Sequence, residues 1–216
     1  MKITAAALSL TLVCGCALGP MAPPQRDTYS LADAGTHAPA ARTEPRSALA
    51  TLTLIVSPPH AAAGFDSQRI MYLRHADQPE YFAYSRWIDT PARMLAPLIV
   101  AAIEGSGTFR AVVQTPSTAA GELRLDTEIL RLEQDFLAAP SQVRFTLRAY
   151  LVESATRRVV ASREFEAAVP AASEDPRGGV VAANRAVKMV LERLAAFCTE
   201  AAGTTATAAT ALRPIP

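Results

Sequence analysis

Three stretches of the sequence alternate between apolar and polar positions, at residues 123–129, 143–151 and 159–165. Successive side chains of a strand point to opposite faces, so this alternation predicts strands with one buried and one solvated face. The connection at 154–158 is short, which favours an antiparallel hairpin between the last two strands. The outward positions form a polar face of mixed charge, namely Arg124, Asp126, Glu128, Arg144 and Arg148.

A different spacing, of three and four residues, predicts two amphipathic helices. The first begins at Asp89-Thr90-Pro91, where proline suits the first helical position, and ends at Gly105. Pro97 lies inside it and is expected on the solvent side. The second begins at Asp175-Pro176, and its inner face is predicted to comprise Val180, Ala183, Val187, Val190, Leu191, Leu194 and Cys198.

Shorter apolar runs predict the remaining strands. They are Leu49–Val56, which ends before a proline pair, a hairpin of Arg69–Leu73 with Tyr81–Tyr84, and Phe109–Val113. Residues 29–31 could add an edge strand. Together these elements predict an α+β fold, a single domain with a mainly antiparallel sheet and two helices packed on one face.

The first residues carry a targeting pattern. Lys2 precedes an apolar run of eleven residues, which suits a secretory signal and is shorter than the roughly 20 residues of a membrane-spanning helix. The tetrapeptide that ends in Cys16 resembles the lipobox of bacterial lipoproteins. That resemblance implies cleavage before Cys16 and its acylation, with a diacylglyceryl group and an N-acyl chain such as palmitate. An ordinary secretory signal with incidental cysteines is the alternative.

Composition divides the remaining chain. We expect a lipoprotein signal peptide at 1–15, a lipidated proline-rich tether at 16–47, the folded domain at 48–198 and a disordered Ala/Thr-rich tail at 199–216. The tail could instead prolong the last helix. In enterobacterial lipoproteins, which this N-terminus resembles, Asp after the acylated cysteine favours retention in the inner membrane. Ala17 occupies that position here, so the resemblance implies an outer-membrane anchor that faces the periplasm of a Gram-negative bacterium.

Charge and apolar content narrow the classes of function. Half of the residues are hydrophobic and 19% are charged, which is enough apolar surface for a packed core. The net charge of +1 gives no field that would attract nucleic acid, so nucleic-acid partners are not expected.

Residues with reactive side chains form no recognisable catalytic pattern. The histidines, His37, His60 and His75, are not spaced for a metal site, so neither a metal nor another cofactor is expected. The carboxylate pairs Glu133/Asp135 and Glu164/Glu166 are interpreted as solvated strand residues, and Cys198 as a small buried apolar residue. Asn184 is expected to bond to a loop, with partner contact as the alternative. We expect no enzymatic activity.

Five aromatic residues occur within 16 positions: Tyr72, Tyr81, Phe82, Tyr84 and Trp87. They could cover the sheet or the first helix. They could equally form a surface that contacts a protein partner or lipid, since Tyr and Trp combine apolar area with a polar tip.

Several runs together resemble one known family, the ABC-type transport auxiliary lipoproteins of the paraquat-inducible protein C type. These runs are Asp66–Tyr72, Tyr81–Trp87, Pro91–Leu95, Phe109 and Ala183–Ala186, and the resemblance covers about residues 29 to 198. It implies a lipoprotein that works with a mammalian-cell-entry (MCE) domain protein and an ABC permease and ATPase. Such systems move lipids or other apolar molecules between the two membranes of Gram-negative cells.

The expected function is therefore that of a membrane-anchored accessory lipoprotein that acts as a docking or scaffold component. Its expected partners are the membrane, through acylated Cys16, and the MCE and ABC proteins, with a homo-oligomer left open. The alternative is an outer-membrane assembly or cell-wall-synthase activating lipoprotein. A lipid-anchored hydrolase is a third hypothesis, which the lack of a nucleophile motif disfavours.

Overall fold

The computed structural model describes residues 26–31 and 51–211, with side chains described up to residue 204. The strands of these two ranges are β1 Asp27–Tyr29, β2 Thr53–Val56, β3 His60–Ala61, β4 Arg69–His75, β5 Gln78–Trp87, β6 Ala111–Gln114, β7 Leu123–Asp135, β8 Gln142–Glu153 and β9 Arg158–Pro170. The helices are α1 Pro91–Gly105 and α2 Pro176–Ala211.

Strand β7 lies at the centre of one mixed sheet. On one edge it pairs with antiparallel β8 along its whole length, and β8 pairs in turn with antiparallel β9. The other edge pairs with β2, β3 and β4 in succession, and each of these strands is parallel to β7. Strand β6 extends the sheet beyond β2, while β5 and then β1 extend it beyond β4. The longest pairings are antiparallel, and the short ones along β7 are parallel.

Both helices pack on one face of this sheet, which confirms the predicted α+β fold class. Helix α2 packs against β8 and β9, and α1 packs against β3, β6 and α2. All seven residues predicted for the inner face of α2 are buried, and so are the alternate residues of β8 from Val143 to Leu151. The apolar side of each element therefore meets the other layer, and the hydrophobic effect holds the two layers together.

Helix α1 has the predicted bounds. Its first residue, Pro91, needs no hydrogen-bond partner for its missing N–H, and Met94 N donates to Thr90 O at 3.1 Å. Pro97 is exposed on the solvent side, as predicted. Beyond the helix end, Ser106 donates twice to the carbonyl of Ile103, from Oγ at 2.7 Å and from its backbone N–H at 3.1 Å, so the last turn is capped.

The two predicted hairpins are confirmed. Strands β4 and β5 are both longer than the sequence pattern indicated and meet at a turn between His75 and Gln78. The predicted edge strand is also present, because β1 pairs in parallel with the end of β5 and Tyr29 lies opposite Trp87. Leu31, two residues after Tyr29, is buried in the core.

The prediction of a disordered tail from residue 199 is wrong as far as Ala211, because α2 continues to that residue. The alternative, a longer last helix, is correct over this range. Alanine has the highest helix propensity, and the burial of Ala201 and Ala202 adds a packing contribution. Residues 212–216 lie outside the described residues. No helix within 26–31 or 51–211 combines the length and hydropathy that crossing a membrane requires.

Candidate functional site

The predicted lipidation site, Cys16, lies outside the described residues, as do the signal peptide and most of the predicted tether. The described chain begins at Arg26, directly before β1. Strand β1 is parallel to β5, with Asp27 opposite Ser85. The first described residue, Arg26, therefore lies at the sheet edge, at the end of β1 that is nearer the beginning of β5.

The five aromatic residues singled out in the sequence do not form one surface. Trp87 is 3% exposed and belongs to the core, and its backbone N–H donates to Gln68 O at 2.7 Å. The prediction that Trp87 contacts a partner or lipid therefore fails, since its inward position on β5 places it under α2. Alternate residues of β5 point to opposite sides of the sheet, so the aromatic residues of this strand do not share one face.

Tyr72 and Phe82 lie together, as neighbours on β4 and β5, with ring centroids 4.5 Å apart. Phe136, at the end of β7, joins them at 5.7 Å from Tyr72 and 6.4 Å from Phe82. Tyr72 Oη donates to Glu80 Oε2 at 2.8 Å, and this hydrogen bond, with burial, raises the pKa of the phenol. The sequence analysis missed Phe136 because only the parallel register of β4 with β7 brings it here.

Tyr81 and Tyr84 are the more accessible members of the group. The guanidinium of Arg69 lies 3.7 Å from the centre of the Tyr81 ring, which is a cation–π contact. The side chain of Tyr84 is 56% exposed and is thus available to a partner. Of the five residues, this one fits the surface interpretation best.

The carboxylates Glu133 and Asp135 were interpreted as solvated, and this is wrong, because both are buried. They do share the outward face of β7, but this part of the strand has neighbours on both edges, and long arginine side chains cover it. Arg144 Nε lies 3.1 Å from Asp135 Oδ2, and Arg131 Nε lies 3.4 Å from Glu133 Oε1. Desolvation outweighs these charges for Glu133 and raises its pKa. Glu164 and Glu166 are exposed, as predicted.

Cys198 and Asn184 have the structural roles predicted for them. Cys198 is fully buried, and desolvation raises the pKa of its thiol to about 12, so the thiol stays protonated at neutral pH. Asn184 Nδ2 donates to Ser30 O at 3.4 Å and to Val180 O at 3.1 Å. It thus joins α2 to the segment that follows β1. His60 and His75 are exposed, and His37 lies outside the described residues.

A groove of about 750 Å³ runs between α1 and α2 on the side away from the sheet. The facing residues are mostly small, so the helices leave space between them rather than interlocking. Lining residues include Leu98, Ala101 and Ala102 of α1, with Val187, Leu191 and Ala195 of α2. The sequence analysis did not identify this groove, because helix periodicity shows which face is apolar but not how closely two helices approach.

The opposite face of the sheet carries paired charges. Arg148 contacts Glu164 at 3.0 Å and Glu128 at 3.7 Å, and Arg124 contacts Asp126 at 3.3 Å. The mixed polar face predicted from the alternation is therefore present. The side chains that carry these charges are each about one third exposed or more, so they remain accessible to a partner.

Taken together, one layer of two helices on a mixed sheet, with a polar outer face, defines a two-layer α+β domain. The family of ABC-type transport auxiliary lipoprotein components matches residues 29–195, and the chain belongs to this family. It is thus a transport-associated lipoprotein of the bacterial envelope that associates with an ABC transport system. The family resemblance noted in the sequence is confirmed.

Two solved structures share this fold, and a third is also similar to the chain. Protein XCC0632 from Xanthomonas campestris, which carries the family designation DUF330, is 27% identical, with a TM-score of 0.67 over 72% of this chain and 88% of that chain. An uncharacterized protein is 11% identical, with a TM-score of 0.60 over 82% and 97%. A chain of the PelC dodecamer from Paraburkholderia phytofirmans is 12% identical, with a TM-score of 0.42 over 68% and 91%. No curated protein matches the chain.

Proposed function

We propose that this protein is the accessory lipoprotein of an MCE/ABC-type trans-envelope system that transports lipids or other apolar molecules. Acylated Cys16 anchors it in the outer membrane, and the domain faces the periplasm. The observation that carries this proposal is the family match over residues 29–195, which spans the folded domain from β1 well into α2. The transported class and the MCE partner follow from the family resemblance rather than from a bound ligand.

The protein acts as a docking component and not as a catalyst. The reactive groups of its interior are already engaged: the Cys198 thiol is buried and protonated, and Asp135 is paired with Arg144. An anchored domain contributes by raising the effective concentration of its partner at the membrane, which needs no bond chemistry.

The outer face of the sheet is the surface that we assign to the MCE partner. Its arginines and carboxylates are of both signs and exposed, which suits specific, salt-sensitive contacts. Exposed ion pairs add little to folding stability, so these residues can be changed without loss of the fold. That property makes the surface testable.

The test is capture of the MCE-domain protein encoded beside this gene by the full-length lipidated chain. Arg148→Glu reverses a charge at the centre of the outer face and should reduce capture strongly at low salt. The matched control is Arg93→Glu, which makes the same charge change on α1, where Arg93 pairs with exposed Asp89. Glutamate at position 148 lies between Glu128 and Glu164 and should lower the melting temperature, so capture is compared per folded molecule.

Equal capture by both variants would exclude the outer face as the docking surface. A wild-type chain that captures no MCE protein and is also a strict monomer by light scattering would contradict both the partner and a homo-oligomer. Gene neighbours provide a further check, since the gene should lie beside those for an MCE-domain protein and an ABC permease.

A further inference from the structure

The tip of the β7–β8 hairpin is an uninterrupted apolar segment, Phe136–Pro140, with the sequence Phe-Leu-Ala-Ala-Pro. It projects beyond the last register pair of the hairpin, Asp135 with Gln142. The side chain of Leu137 is 56% exposed, and Ala139 and Pro140 are exposed as well. Single exposed apolar residues are common in proteins, but three exposed residues within a run of five apolar residues at a projecting tip call for a partner.

The tip is held firmly at its base. Phe136 packs against Tyr72, and the guanidinium of Arg74 lies 6.0 Å from the Phe136 ring centre. Phe136 N donates to Leu73 O at 2.8 Å, which joins the tip to β4.

Several backbone N–H groups of the tip are already hydrogen-bonded or absent, which suits an apolar medium. Leu137 N donates to Asp135 Oδ1 at 2.8 Å, Phe136 N is bonded as described, and Pro140 has no N–H. Three of the five residues thus present no N–H that requires water. Unpaired N–H groups add to the cost of inserting a loop into lipid, so these three residues lower that cost.

The strand registers place this tip at the end of the domain that faces the membrane anchor. Strand β4 is parallel to β7, so the turn after His75 lies beside the end of β7. Strand β5 begins at that turn, and β1 is parallel to β5. The first residue of β1, Asp27, is therefore at the end of that strand nearer the tip, and Arg26 precedes it on that side.

The distances are compatible with simultaneous contact. Asp27 lies opposite Ser85, seven residues along β5 from Gln78, which is about 23 Å at about 3.3 Å per residue. Asp27 is eleven positions after Cys16, and the extended length of these eleven steps is about 36–40 Å at about 3.3–3.6 Å per residue. Acyl chains on Cys16 can thus enter a bilayer that the tip also touches.

We propose that the 136–140 tip inserts into the surface of the bilayer and is a second membrane contact of the anchored protein. This inference rests on the acylated anchor of the proposed function. The exposed charged residues around the tip include Arg74, Asp77 and Glu174, so the tip has no positive excess. Insertion is therefore driven by apolar contact with lipid, as for interfacial helices, and needs no anionic lipid. Arg74 can extend its head group toward lipid phosphates.

The test uses the full lipidated chain in vesicles of zwitterionic phosphatidylcholine, with tryptophan as the probe. Leu137→Trp places the indole at the tip. Val159→Trp is the matched control, because Val159 is also about half exposed but lies at the far end of the β8–β9 hairpin. Native Trp87 is buried and gives the same background emission in both variants.

Lipids with brominated acyl chains should quench the added emission several-fold more in Leu137→Trp than in Val159→Trp, at low and high salt alike. Equal quenching in the two variants, or none at 137, would overturn the inference. So would a blue shift at 137 that depends on protein concentration without quenching by bromine, since a second copy would then cover the tip.

Flotation of the same vesicles separates this inference from the proposed function. Protein that floats with the vesicles while position 137 stays unquenched keeps the lipid anchor and refutes the tip contact alone. Protein that does not float lacks the anchor, which contradicts the proposed function itself.

Discussion

The side-chain amide of Gln134 lies directly against the backbone of Gly179, so that a Cβ atom at position 179 would overlap Gln134 Oε1. Gln134 is buried, and its Nε2 donates to Ser141 Oγ at 2.9 Å. This contact sets how closely the first turn of α2 approaches the end of β7. The pair Gly178-Gly179 is therefore explained by packing at the helix start.

Gly179→Ala should destabilise the domain by about 1–3 kcal/mol, the usual cost of overpacking a tight contact. Alanine favours a helix, so a gain in stability would be expected if space were available. Urea unfolding measures the difference, and Gly105→Ala is the control, because a Cβ at position 105 meets no atom within 4 Å. Similar effects of the two substitutions would show that Gln134 can move aside.

Trp87→Ala should cost about 3–5 kcal/mol of stability, because it empties a core position under α2. Binding of the partner per folded molecule should not change, since Trp87 is buried. Urea unfolding and capture of the MCE protein, carried out on the same sample, check both parts. A loss of capture with unchanged stability would instead restore Trp87 as a contact residue.

Acid should destabilise the start of α2 in particular. Hydrogen bonds from the Ser141 hydroxyl and N–H keep the pKa of Glu174 below its usual value, and the Gly178 N–H, with Ser173, does the same for Asp175. A carboxyl group with a lowered pKa in the folded state stabilises the fold above its unfolded pKa, and this contribution is lost as the pH falls. Unfolding midpoints should therefore decrease below about pH 4.5.

The double variant Glu174→Gln, Asp175→Asn should show a flatter dependence of the urea midpoint on pH in this acidic range. Its stability at neutral pH should be lower than that of the wild type, since neutral side chains make weaker bonds to the N–H groups. A pH profile parallel to that of the wild type would mean that other carboxylates govern acid unfolding.

Glu133 should have the opposite effect on the pH dependence of folding stability. Desolvation raises its pKa above the usual 4.5, so the folded state binds this proton more readily than the unfolded chain. The stability that protonated Glu133 contributes is present at pH values below 4.5 and is lost as the pH rises through the raised pKa. Glu133→Gln should thus leave neutral-pH stability unchanged or higher, and remove that decline. Marked destabilisation at pH 7 would show that the charge pair with Arg131 dominates instead.

The layers of the fold could be predicted because the buried residues of a helix or strand recur at regular intervals in the sequence. Helix α1 begins and ends where its proline and glycine indicated, and the inner face of α2 was identified residue by residue. The parallel pairing of β7 with β2, β3 and β4 could not be predicted, since no local pattern encodes which distant strands meet. A register shift between Ile129 and Arg131 also changes which residues of β7 face inward.

The candidate site was harder to predict for the same reason. Five aromatic residues that are close in sequence could have formed one surface. Alternate residues of β5 point to opposite faces of the sheet, however, so Trp87 is buried while Tyr84 is exposed. Phe136 joins Tyr72 across a sequence separation that periodicity cannot bridge. The lipidation motif differs, because a processing enzyme reads it as a linear sequence before folding, and it can be tested without reference to the fold.

Cys16→Ser should yield a chain that is unprocessed or soluble in the periplasm, because the serine hydroxyl cannot form the thioether that carries the lipid. Cys14→Ser is the matched control: it removes the neighbouring thiol from a position that follows bulky Val13 and should fractionate like the wild type. Both substitutions lie outside the folded domain, so melting curves should not differ. The measurement is membrane fractionation after high-salt washing, with mass spectrometry of the mature N-terminus. A Cys16→Ser chain that still remains with the outer membrane would show that the anchor is elsewhere. If the Cys14→Ser chain were soluble in the same experiment, Cys14 would be the lipid acceptor.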